Sequence, residues 1–260
     1  MNNNFINTFI NSPLEQFEIK TFMGFTSPII NLTSLNITTF SLYIFIVFLV
    51  INVLYILTNN NNKVIGSRWL LSQEMIYDTI LKMTKEQIGG KLWGNYFPLI
   101  YTFFMFIFTA NLISMIPYSF ALTAHFVLII SLSIIIWLGI TTLGLVRHGL
   151  GFFALFVPQG TPLILVPLLV LIEVLSYSAR AVSLGLRLSC NVLAGHLLMA
   201  ILATLTLSLM SINIFTLFLG SIPMVLILAI FSLEMGIAMI QAYVFSILMA
   251  SYIKDALYLH

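Results

Sequence analysis

Four stretches of this chain are long, apolar and almost free of charge, and that feature limits the fold more than any other. They are Phe40–Leu57, Phe97–Ile116 (closed by Pro117), about His125 to Val146, and Pro162 to about Ala250. A helix crosses the hydrocarbon core of a bilayer, about 30 Å thick, in roughly 20 residues. The fourth stretch is too long for one such helix. Its most polar short segment without a charge, Ser208–Asn213, reads as the turn of a helical hairpin with arms of about 162–207 and 214–255. Arms of roughly 35 residues or more measure about 50 Å at 1.5 Å per residue, so they must tilt strongly to stay in a bilayer. The expected fold class is an all-α polytopic membrane protein: N-terminal spans at about 40–57, 97–116 and 125–146, one surface amphipathic helix, and a C-terminal hairpin of two long, strongly tilted helices.

Composition closes off the alternatives. Only 7% of the 260 residues are charged, against about 25% in an ordinary soluble domain, so much of the surface must face lipid. A net charge of +2 is too small to imply a nucleic-acid partner. Cys190 is the single cysteine, so no intrachain disulfide exists, and the four histidines lie far apart with no ligand spacing. No metal, haem or other cofactor is expected. Neither a G-x-x-x-x-G-K-[ST] loop nor a Rossmann fingerprint occurs, so any nucleotide chemistry belongs to partners.

Met1–Asn11 is Asn-rich, lacks a basic residue and has no apolar core, which excludes a secretory signal. It reads as a short removable leader before a single membrane domain at 12–260. Asn31 and Asn36 match the glycosylation pattern, a match common by chance. After the polar run Asn59–Asn62, residues 68–88 read as an amphipathic helix. Trp69, Ile76, Ile80 and Met83 share one face; Glu74, Asp78, Lys82 and Lys85 share the other, with Asp78 and Lys82 at pairing distance. Gly89 and Gly90 end it. Lys63, Arg68, Lys82, Lys85 and Lys91 crowd the first loop, Pro117–Ala124 has no basic residue, and Arg147 stands in the next loop. The positive-inside rule then puts the N-terminus outside and the 63–91 and 147–160 loops inside.

Glu173, Arg180, Arg187 and Glu234 all fall at bilayer depth, where each charge costs at least about 2.5–3.5 kcal/mol. They must face protein or a water-filled cavity. Glu173, Arg180 and Arg187 recur every seven residues, with Ser176, Ser183 and Asn191 on the same stripe. Ala179, Ala181, Gly185, Ala194 and Gly195 would let another helix approach closely. Glu234, Gln241 and Asp255 form a second stripe. Taken alone, Asn191 and Gln241 are ordinary packing glue, His196 an ordinary buried histidine, and Arg180 a partner for Glu173 two turns away. Arg187 has no acid three or four positions away, so its partner lies on another helix or another chain. With the turn centred near residue 211, His196 and Glu234 are offset by about 12 Å along straight antiparallel helices. They meet only if the hairpin is uneven, the connection is longer, or water links them.

Ser183-Leu-Gly-Leu-Arg-Leu-Ser-Cys-Asn-Val-Leu-Ala-Gly-His196 resembles the signature of subunit a of F-type ATP synthases, S-L-G-x-R-L-x-x-N-x-x-A-G followed by an ionisable residue. The resemblance extends to Thr109-Ala-Asn-Leu-Ile-Ser-Met-Ile-Pro117 and Ala250-Ser-Tyr-Ile-Lys-Asp255, and it is strongest to the budding-yeast mitochondrial form. It implies a proton-channel subunit of the inner mitochondrial membrane, its N-terminus towards the intermembrane space and its leader lost near Ser12. Implied partners are the ring of c subunits, subunit b and other membrane-sector subunits, the lipid bilayer, and indirectly the F1 head. Arg187 matches the essential arginine facing the ring. His196 and Glu234 match a pair in the intermembrane-space half-channel, which bacterial relatives carry the other way round. Glu173 and Asp255 match acids of the matrix half-channel; Asn191 and Gln241 match polar residues beside the arginine, and Arg180 shares their stripe. The chain alone is then a non-nucleotide-binding subunit rather than an enzyme. The rival readings are a secondary transporter, for which no repeated halves are visible, and a proton-pumping subunit of another inner-membrane complex.

Overall fold

The structure, a computed structural model, describes residues 17–25, 35–58, 68–90, 92–116, 119–156, 165–211 and 218–258. The expected leader at 1–11, the Asn59–Asn62 loop and Pro117 lie outside the described residues.

Among the described residues six α-helices carry the fold: α1 (Thr39–Thr58), α2 (Arg68–Ile88), α3 (Trp93–Ser114), α4 (Phe126–His148), α5 (Val166–Met210) and α6 (Ser221–Leu257). All except α2 are long and apolar enough to cross a membrane. The chain is therefore an all-α polytopic membrane protein in its membrane-crossing part, with one departure from the sequence reading. β1 (Thr21–Phe25) and β2 (Leu35–Thr38) form an antiparallel two-stranded sheet just before α1, Phe25 opposite Leu35 and Met23 opposite Ile37, with an irregularity between Thr21 and Met23. Both segments are rich in Thr, Phe, Leu and Ile, which suit strands, but runs of four or five residues carry too little periodicity to stand out.

The helix α2 is the amphipathic one. Ile80, Met83, Thr84 and Ile88 are buried, whereas Trp69 at the other end is 58% exposed. The apolar face is thus covered by this chain only over its C-terminal half. Lys82 Nζ lies 2.7 Å from Asp78 Oδ2, an exposed i,i+4 pair, and Asp78 holds the Lys82 ammonium above its ordinary pKa. Gly89 and Gly90 follow with φ of 66° and 63°, a conformation that stops a helix and that L side chains rarely adopt.

Helix α5 runs into the polar segment Ser208–Asn213 as far as Met210, and α6 begins at Ser221; residues 212–217, on which part of the expected turn falls, lie outside the described residues. Local hydrogen bonds account for the helical start of the segment. Ser208 Oγ donates to Leu205 O at 2.8 Å and Ser211 Oγ to Ser208 O at 2.9 Å. Serine hydroxyls satisfied inside their own helix need not break it, even in an apolar setting.

The chain divides into two compact units. Unit 1 comprises Met1–Val50, Phe108–His125 and Ser189–Ile240; unit 2 comprises Ile51–Ile107, Phe126–Leu188 and Gln241–His260. In unit 1, Ala121, Ala124 and Val192 form a small core with Phe17 and Leu193 against it. His125 is sandwiched there, its ring stacked on Phe120 at 4.7 Å and edge-on to Phe40 at 5.8 Å. In unit 2, Phe152 and Tyr177 are buried with Trp137 and Val170 packed on them. Gly185 allows a close helix contact within this unit. A Cβ there would meet Ser133 Oγ at 2.8 Å and Ile129 O at 3.2 Å.

Candidate functional site

In unit 1, α5 and α6 bring His196 and Glu234 together. Nε2 of the imidazole lies 3.8 Å from Oε1 of the carboxylate, and the two side chains are only 11% and 7% exposed. The distance is just beyond a hydrogen bond, so a small side-chain rotation or one bridging water completes a proton connection. The 12 Å offset expected from the sequence disappears because α5 ends at Met210 and α6 begins at Ser221. His196 stands fourteen residues before Met210, and Glu234 thirteen after Ser221. Measured from the helix ends, the two are level.

Gly195 makes room for the pair. A Cβ at that position would collide with the Glu234 carboxyl group. The sequence marked Gly195 as a small residue permitting close approach; the group that approaches is the acid itself. Both Glu234 oxygens and His196 Nε2 are buried with no hydrogen-bond partner among the described residues. Buried polar atoms in that state call for an explanation. The ring of Phe17 lies edge-on to His196, centroids 6.5 Å apart.

Asn111, on α3, was not singled out in the sequence. It is buried, and its Nδ2 donates to Ala238 O of α6 at 3.1 Å, one turn beyond Glu234. An amide in the last turn of an apolar span was the available signal. Asn191 of α5 is exposed.

In unit 2, α5 shows a division of faces. Tyr177, Ala181, Leu184 and Leu188 are buried, a spacing of four, three and four residues that marks one helix face. Arg180 and Arg187 are exposed, as are Ser176 and Ser183, while Glu173 is half-buried. The stripe of seven-residue repeats therefore flanks the buried face of α5 and becomes more exposed from Glu173 to Arg187. On α6 the polar stripe behaves in the opposite way: Gln241 is buried, with Nε2 unpartnered among the described residues, and Asp255 is half-buried. Tyr177 of α5 packs edge-on to Tyr252 of α6, ring centroids 6.2 Å apart. In this antiparallel pair Arg187 lies ten residues beyond Tyr177 and Gln241 eleven before Tyr252. The register therefore puts Arg187 and Gln241 at about the same level of unit 2. By the same count Glu173 and Asp255 share a level at the other end.

Among the described residues no group of three or more His, Cys, Asp or Glu side chains is arranged to hold a metal ion.

The family model described as ATP synthase A chain matches residues 21–254. ATP synthase subunit a of Candida glabrata is 70% identical over the full length of both chains. The Saccharomyces cerevisiae protein of that name is 69% identical over 99% of each chain, and the Kluyveromyces lactis one is 66% identical over 98% of this chain and 100% of its own. With a family model covering nearly all of it and relatives this similar end to end, the chain belongs to the ATP synthase A chain family.

Proposed function

We propose that this chain is the proton-conducting stator subunit of a mitochondrial ATP synthase, passing protons through two half-channels to and from carboxyl groups on a rotating c-ring. The observation that carries the proposal is the exposure of Arg187 on α5, about a quarter-turn around the helix from the buried stripe Tyr177, Ala181, Leu184 and Leu188. An exposed guanidinium at bilayer depth costs at least about 2.5–3.5 kcal/mol in lipid. An acid on a neighbouring subunit removes that cost.

The mechanism follows from elementary electrostatics. A rotor carboxyl group surrounded by lipid favours its protonated form; beside a fixed cation it favours the anion. Passing Arg187, it releases a proton to one aqueous path and is reloaded from the other. Arginine suits the post because it does not deprotonate in proteins, so it also opposes direct leakage between the paths. His196 and Glu234 serve the intermembrane-space side, where an imidazole and a carboxyl 3.8 Å apart can exchange protons near neutral pH. Glu173 and Asp255 serve the matrix side. Gln241, level with Arg187 in unit 2, and Asn191 hold the ring-facing region polar, with Arg180 a turn from Tyr177. In this reading the N-terminus faces the intermembrane space, the mature chain starts near Ser12, and α5 and α6 lie strongly tilted. The c-ring, subunit b, other membrane-sector subunits and, indirectly, the F1 head are the partners; nucleotide chemistry is theirs.

Arg187→Ala tests the proposal. It should abolish proton-coupled ATP synthesis in inner-membrane vesicles while the complex remains assembled. Normal synthesis in that variant would overturn it.

A further inference from the structure

Tyr252 is a buried polar group that this mechanism leaves unused. It is 3% exposed, and its hydroxyl has no hydrogen-bond partner among the described residues. A buried hydroxyl left unpaired costs about 1–3 kcal/mol. Phenylalanine would fill the same space against Tyr177 without that cost, so packing alone does not account for the oxygen.

The surroundings suggest a use. Tyr252 packs on Tyr177. Arg180 follows Tyr177 by one helical turn, and Asp255 follows Tyr252 by one turn. Arg180, Asp255 and Arg187 all lie close enough to Tyr252 to act on it electrostatically, and Arg180 and Asp255 act likewise on Tyr177. The phenol thus stands, within unit 2, among the two exposed arginines of α5 and the acid near the end of α6.

We propose that the Tyr252 hydroxyl is a proton relay between the level of Arg187 and Asp255. The inference rests on the matrix-side role of Asp255 given above. A hydroxyl is both donor and acceptor. Its lone pair takes the incoming proton while its own O–H bond breaks, and that second proton passes to the Asp255 carboxylate directly or through one water. Tyr252 ends the step with one proton, as it began. Asp255 is neutral until it releases its proton to the aqueous side. No oxidant, reductant or metal takes part.

The test uses inner-membrane vesicles carrying the whole synthase, with assembled complex quantified. Proton flux per complex is measured in Tyr252→Phe, Tyr252→His, Tyr252→Leu and Asp255→Asn. Tyr252→Phe keeps the ring and its contact with Tyr177, and flux should fall by about tenfold, less than the 10²-fold or more typical of a lost acid–base group because water substitutes in part. Tyr252→His, which can still exchange protons, should retain most of the flux, whereas Tyr252→Leu should lose it. Full flux per complex in Tyr252→Phe, whatever the amount assembled, would overturn the relay. If Asp255→Asn is then impaired, the matrix-side path survives without Tyr252; if it too is unimpaired, the matrix-side reading fails with it.

Discussion

Helices α1 and α5 are both suited to a bilayer, and they differ in what their sequences specify. Helix α1 has no Asp, Glu, Lys, Arg or His in its twenty positions, and Val47 is its one buried residue. Phe45, Phe48 and Ile56 project outward. Apolar on all sides, it gains free energy from lipid in almost any rotation, and many sequences would serve. Helix α5 carries Glu173, Arg180, Arg187 and His196 in a segment otherwise as apolar. Its buried face and its charged face occupy different positions. Charges that oppose insertion persist where something other than insertion needs them. Composition alone therefore locates α1 in lipid, whereas the conflict between composition and location marks α5 as the working element.

That contrast can be tested by exchanging the problem between the helices. Val53 of α1 is exposed. Val53→Arg should add a lipid-facing charge costing about 2.5–3.5 kcal/mol and sharply reduce the assembled complex on native gels. Arg187→Lys in α5 should do the reverse: assembly persists, but flux falls by at least about tenfold, because a buried lysine can lose its charge and lacks the planar fork. Equal assembly defects in both would erase the distinction.

A comparable loss is expected at the His196–Glu234 pair. His196→Ala and Glu234→Ala should each cut proton flux by roughly tenfold or more, and the exchanged double variant should recover part of it. Undiminished flux in both single variants, with normal assembly, would leave packing as the better explanation.

Gly195→Ala sharpens the comparison further, because its two effects have opposite signs. Alanine in place of glycine favours a helix by about 1 kcal/mol. Here the added Cβ collides with the Glu234 carboxyl, and a displacement of about 1 Å can cost up to 10²-fold in rate. Flux should fall although α5 is intrinsically stabilised; unchanged flux would show that Glu234 has room to move.

The smallest effects are expected outside the membrane. Burial between Phe40 and Phe120 lowers the His125 pKa below its ordinary 6.5. The unfolded chain then takes up its proton first. His125 contributes fully above about pH 6.5 and loses that contribution as the pH falls towards the lower folded value. Thermal inactivation of the complex should be slightly more acid-sensitive than in His125→Leu, and identical acid profiles would contradict this. The exposed Asp78–Lys82 pair should be silent: Asp78→Ala is expected to leave assembly and flux unchanged, as isolated surface pairs usually do.

Much of the helical fold was legible because a bilayer demands long apolar runs, and the run of α1 or α4 can mean little else. The α2 helix was legible from its alternating faces and its terminal glycines. Other features needed three dimensions. A seven-residue repeat identifies a stripe on α5 but not its direction, so the outward exposure of Arg187 could not be read from spacing. The approach of His196 and Glu234 ran against the spacing argument, since α5 runs past Ser208 to Met210 and α6 begins only at Ser221. Gly195 was visible as a small residue, yet nothing in the sequence says which group fills the space it leaves. The Tyr177–Tyr252 contact joins residues 75 apart in sequence, beyond the reach of any local pattern.

The central claim is that Arg187 meets a carboxyl group on the rotor. Imaging the assembled synthase in a native-like membrane at side-chain resolution tests it most directly. The account predicts the Arg187 guanidinium on the c-ring side of α5, with the nearest rotor carboxylate reaching it directly or through one water, about 3–6 Å away. An Arg187 paired within its own chain, turned to lipid or set against a non-rotor subunit would contradict it.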